Sequence, residues 1–280
     1  MSQSLQKQIP LTERGHRVFD MVRKFARGAE EIEISLISTT GEYLRFGNNE
    51  LGQSQSTKNR TLSVRLSSGK KQARTTTGRL EESFIQKAVE KAVSQLKTSP
   101  EDPDYLPMLG QQSYQTVSRY HTRTVEESAE TKAGYVGRAI ELARDNKLLA
   151  SGVLGTSVDE GLILNTAGLE SHYRGTGGYF SLTMDADNGN QTGYALSTFA
   201  DISELDAPKV SETALERAKL NKAQTEVQPG KFDVVIDPHA WSEMLFFFIV
   251  SASAGYSPDF GTRQYKEGRS YLSGRIGEKI

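Results

Sequence analysis

Residues able to do acid–base, nucleophilic or metal chemistry are few in this chain and widely spaced. Its four histidines, His16, His121, His172 and His239, never fall within five residues of one another. There is no His-Glu-x-x-His and no His-x-x-x-His, so no helical turn offers two imidazoles to a metal. Cysteine is absent, which excludes disulfides, thiolate zinc sites, iron–sulfur ligation and a cysteine nucleophile within the chain. His239 and Glu243, one turn apart at the start of an apolar segment, read as a surface or capping pair. The segment from Asp185 to Gly189 has the composition of a calcium loop, but its glycine comes one position early and Leu196 stands where such a loop needs Glu. A hairpin turn accounts for it better. Gly175-Thr-Gly177-Gly178 lies between two strand-like segments and lacks the helix N-terminus that a phosphate site uses. Gly155-Thr-Ser157 lacks the second glycine of a nucleophile elbow. From Lys58 to Arg79 there are seven basic residues and no acidic one. No aromatic lies between Phe46 and Phe84 to stack a base. That stretch therefore reads as solvated strand faces, and nucleic acid is not expected as a partner.

The composition of the whole chain narrows the setting. It has 280 residues, 36% hydrophobic and 25% charged, with a net charge of −1. That describes a folded, water-soluble protein of two domains with a third begun. A balance so even excludes a surface tuned throughout to a polyanion. The polar N-terminus (MSQSLQKQIP) has no secretory core. The longest apolar run, Met244 to Val250, is seven residues against the ~20 of a membrane span. A cytoplasmic protein with no membrane contact is expected.

Periodicity gives the elements. Leu11, Val18, Val22, Phe25 and Ala26 predict an amphipathic helix over 11–27. Ile32, Ile34 and Leu36, then Leu62, Val64 and Leu66, alternate as half-buried strands do, with turns at Thr40-Gly41 and Ser68-Gly69-Lys70. A continuous apolar stripe predicts a helix over 79–97. Residues 98–121 contain Pro100, Pro103 and Pro107 and no period, which reads as a linker. Thr124 to Glu127 has the form of a capping box opening a helix to about Lys147. Strands are predicted around 149–157, 160–166, 168–174, 177–186 and 190–200, then a helix capped by Asp206. A short strand (Phe232, Val234, Ile236) leads to Asp237-Pro238, which caps a helix so uniformly apolar that burial is expected. The tail, 255–280, is rich in Gly and Tyr. The fold class is therefore α+β. Two successive modules of antiparallel meander sheet with covering helices are expected (1–99 and 122–226, joined by the linker 100–121), then the start of a third, β-rich C-terminal domain (227–280), cut short.

The segment from Pro229 to Pro238 (PGKFDVVIDP), its apolar helix and the later GRSYLSGRIGE of 268–278 together resemble the TldD/PmbA family, also called the modulator of DNA gyrase family. Residues 63–75 resemble its first-domain strand pair, and 162–169 its second-domain strand and turn, with Thr166 where the family often has Ser. The resemblance implies a metal-dependent peptidase system in which a zinc-bearing subunit pairs with a similar subunit lacking the metal. The zinc subunit carries His-Glu-x-x-x-His on the helix after the Val-Val-x-x-Pro strand. Here that helix reads AWSEMLFFFIVSAS over 240–253, so no catalytic residue and no metal ligand carries over. The expectation is a non-catalytic, PmbA/TldE-like subunit that supports proteolysis of unfolded peptide, paired with a TldD-like zinc-bearing subunit or as a homodimer. No cofactor is expected in this chain, and zinc only in a partner. Tyr256, Arg263, Tyr265, Arg269 and Tyr271 are the candidate peptide-binding residues. The alternatives are an active metallopeptidase whose catalytic groups lie outside this chain, and a DNA- or gyrase-associated binding module.

Overall fold

The computed structural model describes residues 9–115, 117–186, 191–221 and 226–254, and the side chains of all but 248–254 of these. The chain divides into two compact units, Met1–Gln224 and Thr225–Ile280.

The first unit is a six-stranded, wholly antiparallel sheet in the order β3-β2-β1-β4-β5-β6. The strands are β1 (Glu31–Gly47), β2 (Glu50–Ser68), β3 (Lys71–Thr77), β4 (Leu149–Asn165), β5 (Glu170–Asp185) and β6 (Thr192–Phe199). Helices α1 (Leu11–Phe25) and α2 (Glu82–Thr98) come from the first half. The second half supplies α3 (Thr122–Glu126), α4 (Ala129–Asp145) and α5 (Ala207–Leu220). The two meanders share one sheet because β1 pairs with β4 continuously from Glu33–Asn165 to Phe46–Gly152.

Two separate cores form on the helix-covered face. Leu11, Val18 and Val22 of α1 and Ile85, Val89 and Ala92 of α2 bury Ile34, Leu36, Val64 and Leu162. Val136 and Ile140 of α4 and Val210 and Ala214 of α5 bury Leu154, Phe180, Leu182 and Phe46. Both cores therefore draw on β1 and on β4. Between them, on the same face, these strands carry Ser38, Thr40 and Glu42, and Thr156, Val158 and Glu160. This polar interval explains why β4 and β5 read as four short strands in the sequence: one long strand holds two apolar stretches, and the alternation lapses where neither helix layer covers it.

Several local expectations are revised. Thr40-Gly41 lies inside β1. The turn to β2 is Asn48-Asn49, both with positive φ (52° and 63°), the conformation a two-residue hairpin requires and Asn tolerates. Asn49 is buried and bonds Leu148 and Ala150 at the start of β4. Thr124 does not cap the long helix. Its buried hydroxyl donates to the Ala200 carbonyl (2.9 Å) and accepts from the Ile202 amide (2.8 Å), and Ser128 caps α4 through the Thr131 amide instead. Asp206 caps α5 as expected.

In the second unit, α6 (Pro238–Ala254) begins where Asp237 accepts the His239 amide (2.9 Å). Residues 231–237 form no strand, because no described segment of the chain offers them a ladder. The expected burial of α6 is also not seen: Trp241, Phe246 and Phe247 are 46%, 61% and 69% exposed. A single helix cannot cover its own circumference.

Gly193 sets how closely α5 approaches β6. A Cβ there would lie 2.1 Å from the Ala214 carbonyl oxygen and 2.2 Å from the Ala218 nitrogen, both helix backbone. Gly193→Ala must lift the helix and is expected to cost about 1–3 kcal/mol in urea unfolding. Gly161→Ala, where a Cβ meets nothing within 4 Å, is the control and should stay within about 0.5 kcal/mol of the parent. Equal stability of the two variants would contradict this packing.

Candidate functional site

Among the described residues of the first unit, no helix covers the opposite face of the sheet. Along β1, β4 and β5 the odd-numbered residues point there, because the even-numbered ones fill the cores. Register places Tyr43, Gly155, Tyr179 and Thr198 in one row across four strands. Around that row lies a groove of about 400 Å³, lined also by Ser157, Ser181, Tyr194 and Leu196. Gly155 makes the groove possible. A Cβ there would come within 2.9 Å of Tyr43 and 3.0 Å of Tyr179, so only glycine lets the two rings converge over the strand. Tyr179 and Tyr194 present exposed ring surface. The lining holds aromatic faces, hydroxyls and bare backbone, and no carboxylate, imidazole, ammonium or guanidinium. Such a surface can hold an apolar or aromatic side chain and hydrogen-bond a main chain, but it offers no acid or base that titrates near neutrality.

The same face is crossed at one end by the segment after α2. Glu31 anchors it: its carboxylate accepts from the Tyr105 hydroxyl, from Ser67 (2.7 Å) and from the Met108 amide (3.2 Å). Arg65 donates to the Leu106 carbonyl and Asn165 to that of Leu109. Burial works to raise the Glu31 pKa, but the bonds from Tyr105, Ser67 and Met108, with the Arg65 charge, outweigh it and hold the carboxyl below its ordinary value. Burial and the same carboxylate push the Tyr105 hydroxyl up. Further on, the Arg119 carbonyl accepts from the Thr176 amide (2.8 Å), so this connection runs beside β5 and occupies part of its outer edge. On the opposite side of the sheet, β3 pairs only with Leu62–Ser68 of β2. Residues 50–61 are therefore without a strand partner on their outer side among the described residues.

The histidines are dispersed. His16 meets Glu170 (3.3 Å), His121 meets Asp201 (3.5 Å) and His172 meets Glu160 (2.9 Å). Asp201 is held below its ordinary pKa by the amide and hydroxyl of Ser203. Among the described residues, no three His, Cys, Asp or Glu side chains come together to hold a metal. The basic stretch 58–79 is also divided. Arg65 and Arg74 lie on the uncovered face, with Arg65 4.0 Å from Glu33 and Arg74 on Ser63, whereas Arg79 stacks on Phe84 at 4.0 Å. Lys58 and Arg60, at even positions, lie on the helix side. Tyr256, Arg263, Tyr265, Arg269 and Tyr271 lie outside the described residues. No sequence pattern points to the tyrosine groove. Tyr179 and Ser181 can be read as the outer face of a strand, but what stands beside them depends on register between distant strands.

Two family sequence models match the chain: PmbA/TldA metallopeptidase domain 1 over residues 32–96 and PmbA/TldA metallopeptidase central domain over 123–222. Together they account for more than half of it. No curated protein matches the sequence. Among solved structures, a proposed modulator of DNA gyrase from Bacteroides thetaiotaomicron is similar with a TM-score of 0.72 and 17% identity, over 87% of this chain and 58% of that one. TldE from Thermococcus kodakarensis gives 0.65 and 19%, over 74% and 47%. A proposed DNA gyrase modulator from Thermotoga maritima gives 0.64 and 23%, over 75% and 48%. At these identities the likeness is one of fold. The chain spans about half the length of these structures.

The Glu31 anchor has a pH signature. A carboxyl held below its ordinary pKa adds stability above that value and loses it as pH falls through the folded one. Glu31→Gln is expected to be less stable than the parent by about 1–2 kcal/mol at pH 7. The gap should narrow as pH falls below the ordinary value of 4.5. Chemical denaturation at pH 7, 5 and 3.5 reads this, and a gap constant with pH would show the carboxylate charge to be irrelevant.

Proposed function

The chain belongs to the TldD/PmbA metallopeptidase family, and from that premise we propose that it is a non-catalytic, PmbA/TldE-like subunit that supports zinc-dependent proteolysis of unfolded peptide by a partner. The observation that carries this reading is the make-up of α6. In the resemblance drawn from sequence, this is the helix that bears the zinc-binding histidines. Here its one imidazole is His239 in the first turn, and the positions beyond it hold Trp241, Met244, Leu245, Phe246 and Phe247. The donor set does not fit a zinc ion, so no catalytic step is assigned to this chain.

Its contribution is to hold substrate. The outer edge of β2 over residues 50–61, which has no strand partner among the described residues, can accept an extended main chain as an added strand without reading its sequence. The Tyr43–Tyr179–Tyr194 groove gives apolar side chains a place against ring faces, with hydroxyls beside them for the peptide groups. The similarity in fold to TldE supports the assignment to the metal-free branch.

The test uses the chain alone and mixed with a zinc-bearing TldD-like subunit. Elemental analysis should find well under one zinc per chain. An unfolded peptide should be cut only in the mixture, and Tyr179→Ala should raise KM for that peptide several-fold with kcat little changed. One tightly bound zinc per chain, or cleavage by this chain alone, would overturn the proposal.

A further inference from the structure

At one end of the tyrosine groove, the uncovered face carries a charge. β4 runs along the middle of this face, and its outward residues are Gly155, Ser157, Asp159 and Gly161. Register sets large side chains on both sides of the two glycines: Tyr43 and Tyr179 beside Gly155, Ile37 and Tyr173 beside Gly161. Between these walls the flanking residues are small, Gly41 and Gly177 beside Ser157, Thr39 and Gly175 beside Asp159. The result is a trough along β4 with the Asp159 carboxylate on its floor. That carboxylate is half-buried and accepts from the Thr39 hydroxyl (2.8 Å) and the Ser157 hydroxyl (3.1 Å). Two tyrosines lean toward it from opposite ends. A Cβ on Gly41 would meet the Tyr43 hydroxyl at 2.7 Å, and one on Gly175 the Tyr173 hydroxyl at 2.6 Å, so both phenols lie over glycine on the way to Asp159. Among the described residues, no Lys, Arg or His lies within ion-pair distance of Asp159. Arg119, whose backbone bridges Gly175, is exposed and makes no ion pair with it.

A carboxylate has about four acceptor positions, and the two hydroxyls use two of them. A cation meets what is left better than a neutral donor, since a charge-assisted hydrogen bond is roughly twice as strong as a neutral one. The walls favour the same ligand, because tyrosine faces attract an ammonium or guanidinium. We propose that Asp159 is a specificity-determining residue: it receives a basic side chain of a bound peptide while an apolar side chain of the same peptide sits in the tyrosine groove. The proposal rests on the reading of this chain as a peptide-holding subunit and adds the class of peptide held. Gly155 and Asp159 are four residues apart on one strand, about 14 Å at the rise of a β-strand. A peptide extended along β4 has the same rise and turns every second side chain to the sheet. The preferred segment therefore carries Lys or Arg four residues from an apolar or aromatic residue. A Glu or Asp in the basic position meets a like charge.

The test is fluorescence anisotropy of the full chain with labelled, end-blocked nonapeptides. Each has a central Phe and, four residues to either side of it, Lys, Gln or Glu, with Ser and Gly elsewhere, so that either chain direction is served. The Lys peptide should bind about five- to tenfold more tightly than the Gln peptide, and the Glu peptide most weakly. Asp159→Asn should bring the Lys and Gln peptides to the same Kd. If that variant fails to fold by circular dichroism, the parent alone decides: added sodium chloride should erase the preference for Lys over Gln. Equal affinity for the Lys and Gln peptides, a preference that survives Asp159→Asn, or one indifferent to salt overturns this proposal and leaves the peptide-holding reading standing. No binding of any of the three peptides overturns both.

Discussion

Everything in the first unit depends on the ladder between β1 and β4. It joins elements more than a hundred residues apart, and both cores are laid along it. A slip of one residue would turn Ile34, Leu36 and Phe46 of β1 to the uncovered face together. The register is therefore held at both ends of the strand pair by hydrophobic burial. At one end, the buried Asn49 ties the β1–β2 hairpin to the first residues of β4. At the other, the Thr166 amide bonds the Ile32 carbonyl and its hydroxyl accepts from the Ile32 amide.

Two cores on one sheet leave an interval between them, and the molecule uses it for charge. Lys132 of α4 is 3% exposed, yet its ammonium reaches the Glu42 carboxylate (2.7 Å) and the Thr156 hydroxyl (3.1 Å). The buried lysine is thus paired and hydrogen-bonded, as burial of a charge demands. Arg14 and Arg60 lie in the same interval, and among the described residues neither is within ion-pair distance of a carboxylate.

The uncovered face obeys a different logic. No helix of the first unit lies on it among the described residues, so it exposes Ile37 and Ile163 beside tyrosine, serine, threonine and glycine, and the groove arises where glycine lets rings meet. Its far end is taken by the segment anchored on Glu31, so the open area is bounded by the chain itself. The groove offers ring faces, hydroxyls and bare backbone, and its lining holds no carboxylate, imidazole, ammonium or guanidinium.

Much of this is legible in the residues alone. The apolar stripes of α1 and α2, the cap at Asp206, the start of α6 at Asp237-Pro238 and the dispersal of the histidines are local facts, set by side-chain type and spacing over a few residues. The family resemblance, too, needs only ordered short motifs. Periodicity misjudges length: residues 158–159 and 175–176 fall between predicted strands, whereas β4 and β5 run through them, because ladder bonds to neighbouring strands hold the chain extended. Thr124 misleads for the same reason, its hydroxyl finding backbone partners at Ala200 and Ile202 that no local window contains. The tyrosine groove lies beyond the sequence altogether, since it is assembled by pairing between strands far apart in the chain. Sequence by itself determined which segments are amphipathic and which side chains exist to do chemistry. Only the tertiary structure decided which of them meet, because a strand's register and a helix's resting place are settled by burial summed over the whole sheet.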